Sequence, residues 1–432
     1  MELSRRALLK SAAVAPAAPA AFAANDRVQV GVIGCGARSH ELMNALMQHP
    51  SAVITKVCDA YKGRVERAME RTKATAATNW RAILDDKSID AVVVASPDHW
   101  HKTHIIEALK AGKDVYTEKP LTYRVEEGLE IIEAVKASGK IVQVGSQGVS
   151  SEVQNKAKQM IAQGRLGKVT MIRAAYNRNT AGGAWIYPIP PDASPSTCDW
   201  EMFQGPAAKH AFSLERFFRW RCYNDYSGGI ATDLFVHLCT TIHYLMNARM
   251  PSRVVALGEL YRWKESRDVP DTINAILEYP EGFTVNLSST FNNQSSQDAS
   301  FQFLGTEGTL SVGDSLTFTP EAPEEDNRWI VESWPSKLED AYYRDAKVRA
   351  AEMPGMRAPK LRSAGEVFRQ GGLESTYTHF GHWLNAIRTR KAHWEDATVG
   401  HRAAACAHMV NQSAREKRMV EWDFAKENIK RA

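Results

Sequence analysis

Short apolar runs of β type alternate with helical patterns through the first third of the chain. Val28–Ile33 is the first such run, and a helical pattern follows over roughly Ser39–Gln48. Ala52–Cys58 is a second run and Gly63–Arg71 a second helical stretch. Ala91–Ala95 is a strand bounded by Asp90 and Pro97, and the helix Thr103–Ala111 is closed by Gly112, a residue suited to the left-handed C′ position. Asp114–Thr117, the helix Val125–Ser138 and the strand Ile141–Gly145 complete the series. Strands separated by 10–15-residue helical patterns predict βαβ units and a parallel sheet.

The pattern changes after about Ser150. One helix over Val153–Gln163 ends in Gly164, and longer alternating runs follow: Val169–Tyr176, Val254–Tyr261, Thr272–Tyr279, Thr284–Thr290, Ala299–Gly305 and Thr309–Val312. Glycine-containing turns such as Pro280-Glu281-Gly282 join several of them. A mostly antiparallel open sheet with an inserted helix over Gly228–Met246 is expected. The segment Pro320–Gly372 is Pro-rich, charged and irregular, and Thr376–Thr389 and Ala397–Ser413 are helical. The fold class is therefore α/β, with a parallel-sheet domain over residues 25–148, a second domain with an open, mostly antiparallel sheet over 149–375, and C-terminal helices over 376–432.

Composition narrows the functional classes. Apolar residues make up 44% and charged residues 24%, as expected of a folded globular chain rather than a disordered one. The net charge of +4 is spread along the chain without a basic block, which argues against nucleic acid. Six cysteines in 432 residues are no disulfide framework; Cys35, Cys58 and Cys239 sit in apolar contexts and read as core residues. Residues 1–24 stand apart. Ser4-Arg5-Arg6-Ala7-Leu8-Leu9-Lys10 is a twin-arginine pattern, and Ala21-Phe22-Ala23 offers a signal cleavage site. The apolar run between them is too short and too Pro-interrupted to span a bilayer. A periplasmic or secreted protein, exported already folded, is expected.

Gly34-Cys35-Gly36-Ala37-Arg38-Ser39 follows a strand and opens a helix, in the pattern G-x-G-x-x-G/A with serine third. Gly34 permits the tight turn, Gly36 lets the backbone approach a pyrophosphate, and Ser39 is small enough for close helix–strand packing. Asp59 ends the second strand, where a carboxylate accepts ribose hydroxyls and repels a 2′-phosphate. NAD is the expected cofactor; the nearby Lys62 and Arg64 leave NADP open.

At Ser96-Pro97-Asp98-His99-Trp100-His101 and Glu118-Lys119-Pro120, with Asp233-x-x-x-His237 on a later helix, the chain resembles the glucose–fructose oxidoreductase/inositol dehydrogenase (Gfo/Idh/MocA) family, and its exported relatives in particular. The resemblance covers essentially the whole mature chain. It implies that Ser96, Pro97 and His101 line the nicotinamide half of the cofactor, that Glu118 and Gln147 contribute there, and that the Lys119–Pro120 bond is cis. It also implies a homo-dimer or homo-tetramer built on the open sheet, and final helices that return to the first domain. His99, His101 and His104 have chelating spacing, but they sit in a turn the family uses for cofactor, and hydride transfer needs no metal; no metal is expected.

Oxidising a secondary alcohol requires a base for the hydroxyl proton and an acceptor for the hydride. In its E-K-P context Lys119 is expected to stabilise the developing alkoxide. Asp233 and His237 lie four residues apart on an otherwise apolar helix and so share a face. From the residues alone they read equally as a satisfied core histidine with a capping aspartate; the family's Asp-x-x-x-His makes His237 the general base and Asp233 an orienting group for substrate or imidazole. His243 lies on another face and is expected to be structural. Two aromatic and basic stretches, Gly182–Tyr187 and Phe217–Tyr223, suggest Trp185, Arg219 and Tyr223 as substrate contacts, or as loop packing. The leading expectation is an exported NAD(P)-dependent oxidoreductase acting on a sugar or polyol, with tightly held cofactor. The alternatives are a glycosidase or lyase working by transient sugar oxidation, and a non-catalytic sugar-binding protein. Exported N-acetylgalactosaminidases of the family usually lack the lysine of E-K-P, and Lys119 is present.

Overall fold

The computed structural model describes residues 27–265, 267–295, 299–321, 327–352 and 365–430. The twin-arginine segment lies outside the described residues. The parallel sheet is built from β1 (Val28–Ile33), β2 (Ala52–Cys58), β3 (Thr75–Ala76), β4 (Ala91–Val94), β5 (Asp114–Glu118) and β6 (Val142–Gly145). Their spatial order is β3-β2-β1-β4-β5-β6, and all pairings are parallel. That order reverses direction between β1 and β4, which opens a crevice at the strands' carboxyl ends. Val30, Val32, Val92, Val93, Val94 and Val115 are buried on both faces, as a helix-covered parallel sheet requires.

The alternation in the rest of the chain forms the expected open sheet, and it is wider than the sequence suggests. It contains β7 (Val169–Ala175), β8 (Arg253–Glu259), β9 (Thr272–Tyr279), β10 (Phe283–Thr290), β11 (Ser300–Gly305), β12 (Gly308–Val312), β13 (Ser315–Pro320), β14 (Glu366–Arg369), β15 (Val420–Asp423) and β16 (Asn428–Ile429). The order is β14-β13-β12-β11-β7-β10-β9-β8-β15-β16, and only the β7–β10 pair is parallel. Strands β13 to β16 have no counterpart in the expectation. Strands β14, β15 and β16 are two to four residues long, too short to show a period, whereas Ser-Leu-Thr-Phe-Thr of β13 alternates and is missed by the expectation. The segment read as irregular also holds short helices at Arg328–Val331, Ser336–Arg344 and Ala346–Glu352.

Five helices matter for the site: α1 (Ala37–Leu46), α2 (His101–Lys110), α3 (Val236–Met246), α4 (Ser375–Thr389) and α5 (Ala397–Glu416). Phe380, Trp383, Leu384 and Ile387 of α4 enter the core around β1, β2 and α1. Helix α5 bridges the two halves. Its Ala397 packs in the core beneath β4 and β5, whereas Ala405, Cys406, Met409 and Val410 pack against α3 and the open sheet. Beyond α5 the chain turns away from the parallel sheet, because β15 pairs antiparallel with β8. All six cysteines are buried and unbridged.

Candidate active site

The crevice between the two halves is a cleft of about 670 Å³. Gly34, Gly36, Ala37, Arg38 and Ser39 line one end of it, and Lys119, Asp233 and His237 the other. Gly34 sits at φ +89, where a Cβ would lie 2.6 Å from the Ala95 carbonyl oxygen, so the β1–α1 turn admits no side chain there. A Cβ on Gly36 would meet nothing nearer than the Arg64 Cζ at 3.9 Å; that space is left free beside the first turn of α1, where anionic groups bind well. The Ser39 Oγ is buried and finds no partner among the described residues. Asp59 closes this end, its carboxylate accepting from the Cys35 and Tyr61 amides at 2.7 and 2.9 Å, with the Arg64 guanidinium at 3.7 Å. The glycine turn, the free space at Gly36 and the Asp59 carboxylate suit the pyrophosphate and ribose of a dinucleotide.

The middle of the cleft is a polar relay. Gln147 Nε2 donates to Tyr116 Oη at 2.6 Å and to Glu118 Oε1 at 2.9 Å, and Arg38 Nε donates to the same Glu118 oxygen at 3.3 Å. Ser96 and Pro97 line the wall beside it. His101 does not. Its ring is buried between the Ser96 and Pro120 carbonyl oxygens, at 2.9 and 2.6 Å, so it bolts two cleft loops together from behind. His99 and His104 are likewise structural, bonded to the Phe203 carbonyl at 2.9 Å and to Ser96 Oγ at 3.0 Å.

The Lys119 end of the cleft is built by two distant segments. The Lys119–Pro120 bond is cis. Lys119 Nζ donates to the Asp233 carboxylate at 2.9 Å and to the Asp233 main-chain oxygen at 2.8 Å. An ammonium has three N–H donors, so one remains for a substrate oxygen. Arg221 Nε donates to the same Asp233 oxygen at 3.1 Å. Burial alone would raise the Asp233 carboxyl; Lys119, Arg221 and Arg178 prevail and hold it well below the usual range. Asp233 therefore serves as an anchor for two cations, and it makes no hydrogen bond to the His237 imidazole. The imidazole has no hydrogen-bond partner among the described residues. Burial first, and then the Lys119 charge, push it well below the ordinary histidine value, so it is neutral and ready to accept a proton. The residues between are not plain α-helix. Ala231–Phe235 form a π-helical turn that runs into α3, a distortion frequent at functional sites. His243, by contrast, is buried against Tyr279 Oη at 2.9 Å.

Of the aromatic and basic stretches, the expected members are largely displaced by their neighbours. Arg219 donates to the Tyr187 carbonyl at 2.9 Å and to Glu215 at 3.2 Å, and Tyr223 lies under the Arg216 guanidinium at 4.5 Å; neither lines the cleft. Trp185 borders the cleft, but it is 1% exposed and packs edge-on against Phe291 at 4.8 Å. Arg221, Trp220, Tyr187, Tyr176 and Arg178 line the Lys119 end instead. A further group lies within the Ser96–His101 motif but was given no role there. Asp98 is fully enclosed near Arg221, Asp233 and Lys119, and burial pushes its carboxyl up to about 7.

Residues 28–146 match the oxidoreductase family with an NAD-binding Rossmann fold, and residues 198–311 match the GFO/IDH/MocA C-terminal domain. The chain belongs to the Gfo/Idh/MocA family of oxidoreductases. Its first domain is an NAD-binding Rossmann domain. It is 26% identical over 294 residues to scyllo-inositol 2-dehydrogenase (NAD(+)) of Bacillus subtilis (strain 168), covering 66% of this chain and 74% of that protein. It is also 26% identical over 323 residues to the inositol 2-dehydrogenase/D-chiro-inositol 3-dehydrogenase of Shouchella clausii (strain KSM-K16), covering 73% and 80%. Among solved structures, levoglucosan dehydrogenase in complex with NADH and levoglucosan superposes with a TM-score of 0.67 at 19% identity, over 91% of this chain and 99% of that one. The WlbA dehydrogenase from Bordetella pertussis, in complex with NADH and UDP-GlcNAcA, gives 0.64 at 19% identity, over 92% and 99%. At those identities the likeness concerns the fold.

Proposed function

We propose that this Gfo/Idh/MocA oxidoreductase is an exported enzyme that oxidises a secondary alcohol of a sugar or polyol and keeps its NAD tightly bound. The observation that carries the reading is the convergence of a neutral, unpartnered imidazole at His237 with the Lys119 ammonium, itself fixed by Asp233, at the end of the cleft. When bound, NAD supplies the hydride acceptor. The free N–H of Lys119 holds the substrate oxygen and stabilises charge that develops on it. His237 takes the hydroxyl proton. Arg221 and Asp233 keep Lys119 in place, while Tyr187 and Trp220 offer a sugar-sized wall with both apolar faces and polar tips.

Export rests on the Arg5-Arg6 pattern and the Ala21-Phe22-Ala23 site. Tight binding of the cofactor follows from it, since free dinucleotide is scarce outside the cytoplasm. A homo-oligomer is supported by the outer face of the open sheet, where Val255 and Ile276 stand directly opposite one another and Leu257 is 71% exposed.

The test begins with the purified mature protein, which should carry about one dinucleotide per chain. Its absorbance should change with one member of a sugar and polyol panel and return with a second, carbonyl-bearing one. Lys119→Met should retain the dinucleotide and lose turnover. Cofactor-free protein that binds NAD only at millimolar concentration would remove the tight-binding element. Release of an aglycone with no net change in NADH would replace oxidation by a redox-neutral glycosidase or lyase.

A further inference from the structure

Three histidines outside the cleft meet where α4 crosses the end of β6. His379 and His382 are three residues apart on α4, on one side of the helix. His393 comes from the segment that leads into α5. Each offers a ring nitrogen, and the three nitrogens lie within 4.8 Å of one another. His382 and His393 stack at 4.3 Å between centroids, and His379 meets His393 edge-on at 5.9 Å.

Hydrogen bonding fixes the tautomers. His379 Nε2 faces the Val144 carbonyl at 2.8 Å, and a carbonyl only accepts, so that nitrogen carries the proton. His379 Nδ1 is then a bare lone pair, which takes its hydrogen from the Ser150 hydroxyl at 2.8 Å. The same Ser150 oxygen accepts from His382 Nδ1 at 3.1 Å, which leaves His382 Nε2 bare as well. His393 Nδ1 is buried and has no hydrogen-bond partner among the described residues. Val144 also donates its amide to the Glu395 carbonyl at 3.0 Å, so strand, helix and the His393 segment are pinned at one point.

We propose that His379, His382 and His393 form a structural site for a borderline-soft divalent cation of the Zn²⁺ type, with His379 ligating through Nδ1. The donor set is all imidazole, without a carboxylate, which disfavours Mg²⁺ and Ca²⁺ and suits Zn²⁺. A ring that donates its second N–H to a backbone carbonyl, as His379 does to Val144, has the outer support that metal-bound histidines commonly show. Burial leads the downward shift of all three rings, to about 3 at His379 and about 4 at His393, which keeps them neutral as ligands must be. Ligand bonds of about 2.0–2.1 Å draw the rings closer than they stand here, and three nitrogens leave a fourth tetrahedral position for water or the Ser150 hydroxyl. Ser150 ends the 3₁₀ turn Gln147–Ser150, so the ion clamps α4 and the His393 segment to the turn that carries Gln147.

The experiment uses untagged mature protein with its dinucleotide, freed of metal by dialysis against a chelator and titrated with Co²⁺. One equivalent should produce the intense visible absorption of four-coordinate cobalt, and Zn²⁺ should displace it. His393→Ala and His382→Ala should each remove the absorption while far-ultraviolet circular dichroism stays native. Zn²⁺ should raise the Tm of the wild type and leave that of His393→Ala unchanged. A control substitution, His210→Ala, at a histidine that pairs with Asp225 at 2.9 Å and belongs to no part of the cluster, should keep the colour. Colourless protein at one equivalent of Co²⁺, or colour that survives both substitutions, overturns the proposal.

Discussion

At the scale of single residues, the cleft separates groups that act on substrate from groups that hold others in place. In the proposed reaction His237 is the proton acceptor. His237→Asn should lower kcat by about 10²–10⁴-fold while the dinucleotide stays bound. Because burial and Lys119 depress its pKa, the imidazole stays neutral well into mildly acidic solution. In the wild type, kcat/KM should therefore begin its acid-side fall below the ordinary histidine range, and a profile that falls at or above pH 7 would contradict the assignment. Arg221 and Arg219 offer a sharper comparison. Arg221 donates to Asp233 and lines the cleft, whereas Arg219 is spent on Tyr187 and Glu215. Losing a charged hydrogen bond costs about 1.5–3 kcal/mol, so Arg221→Ala should reduce kcat/KM by roughly 10- to 150-fold. Arg219→Ala should leave it nearly unchanged. Lys119, Asp233 and His237 were singled out by the resemblance of E-K-P and Asp-x-x-x-His to family motifs, since the residues alone left Asp233 and His237 equally readable as a capped core pair. The choice between Arg219 and Arg221 was not legible, since the Tyr187 carbonyl that claims Arg219 and the Asp233 carboxylate that claims Arg221 come from other segments of the chain.

At the scale of elements, two local geometries govern the site. The β1–α1 turn requires glycine at Gly34, where a Cβ would press on the Ala95 carbonyl, the next strand's end. Gly34→Ala should cost at least about 1–3 kcal/mol from the positive φ alone, with the clash in addition, and thermal unfolding together with dinucleotide titration should register both losses. This turn was fully readable, because the fingerprint is a statement about backbone conformation. The helix carrying Asp233 and His237 was readable only in part. Four-residue spacing places both on one face, yet Ala231–Phe235 is a π turn, and Asp233 reaches Lys119 and Arg221 instead of the imidazole. Nothing in Ala-Thr-Asp-Leu-Phe signals a π turn, since its register is set by packing around it. His101 shows the same limit. Its position in the motif suggested cofactor contact, and two carbonyl oxygens from loops on either side claimed its ring.

At the scale of the molecule, burial of neutral histidines ties stability to pH. Burial depresses His99 and His408 to about 4, as it does His379 and His393 at the α4 cluster. Each takes up a proton in the unfolded chain near its ordinary 6.5 but not in the folded one, so the unfolded state binds more protons below that pH. Their contribution is fully present above about pH 6.5 and is lost as pH falls toward 4. Asp98 acts in the opposite sense, because its raised carboxyl stabilises the fold at low pH and loses that contribution as pH climbs from about 4 to 7. Glu127, Asp268 and Glu395 are raised in the same way, but depressed histidines, among them also His101, His104, His237 and His401, outnumber these carboxyls on the acid side. Tm should fall steadily from pH 6.5 to 4, and a flat profile there would contradict the burial of these rings. The sequence by itself determined the parallel-sheet dinucleotide domain and the antiparallel second sheet, and its resemblance to a family singled out the lysine, aspartate and histidine of the cleft. Those are set by periodicity and by motifs a few residues long, which local backbone geometry translates directly. Only the tertiary structure decided the partners of Asp233, the capture of Arg219 by the Tyr187 carbonyl, the return of β15 to the open sheet and the meeting of His379, His382 and His393. Each of these depends on contacts between segments far apart in the chain, which form only when the core of both domains closes around α4 and α5.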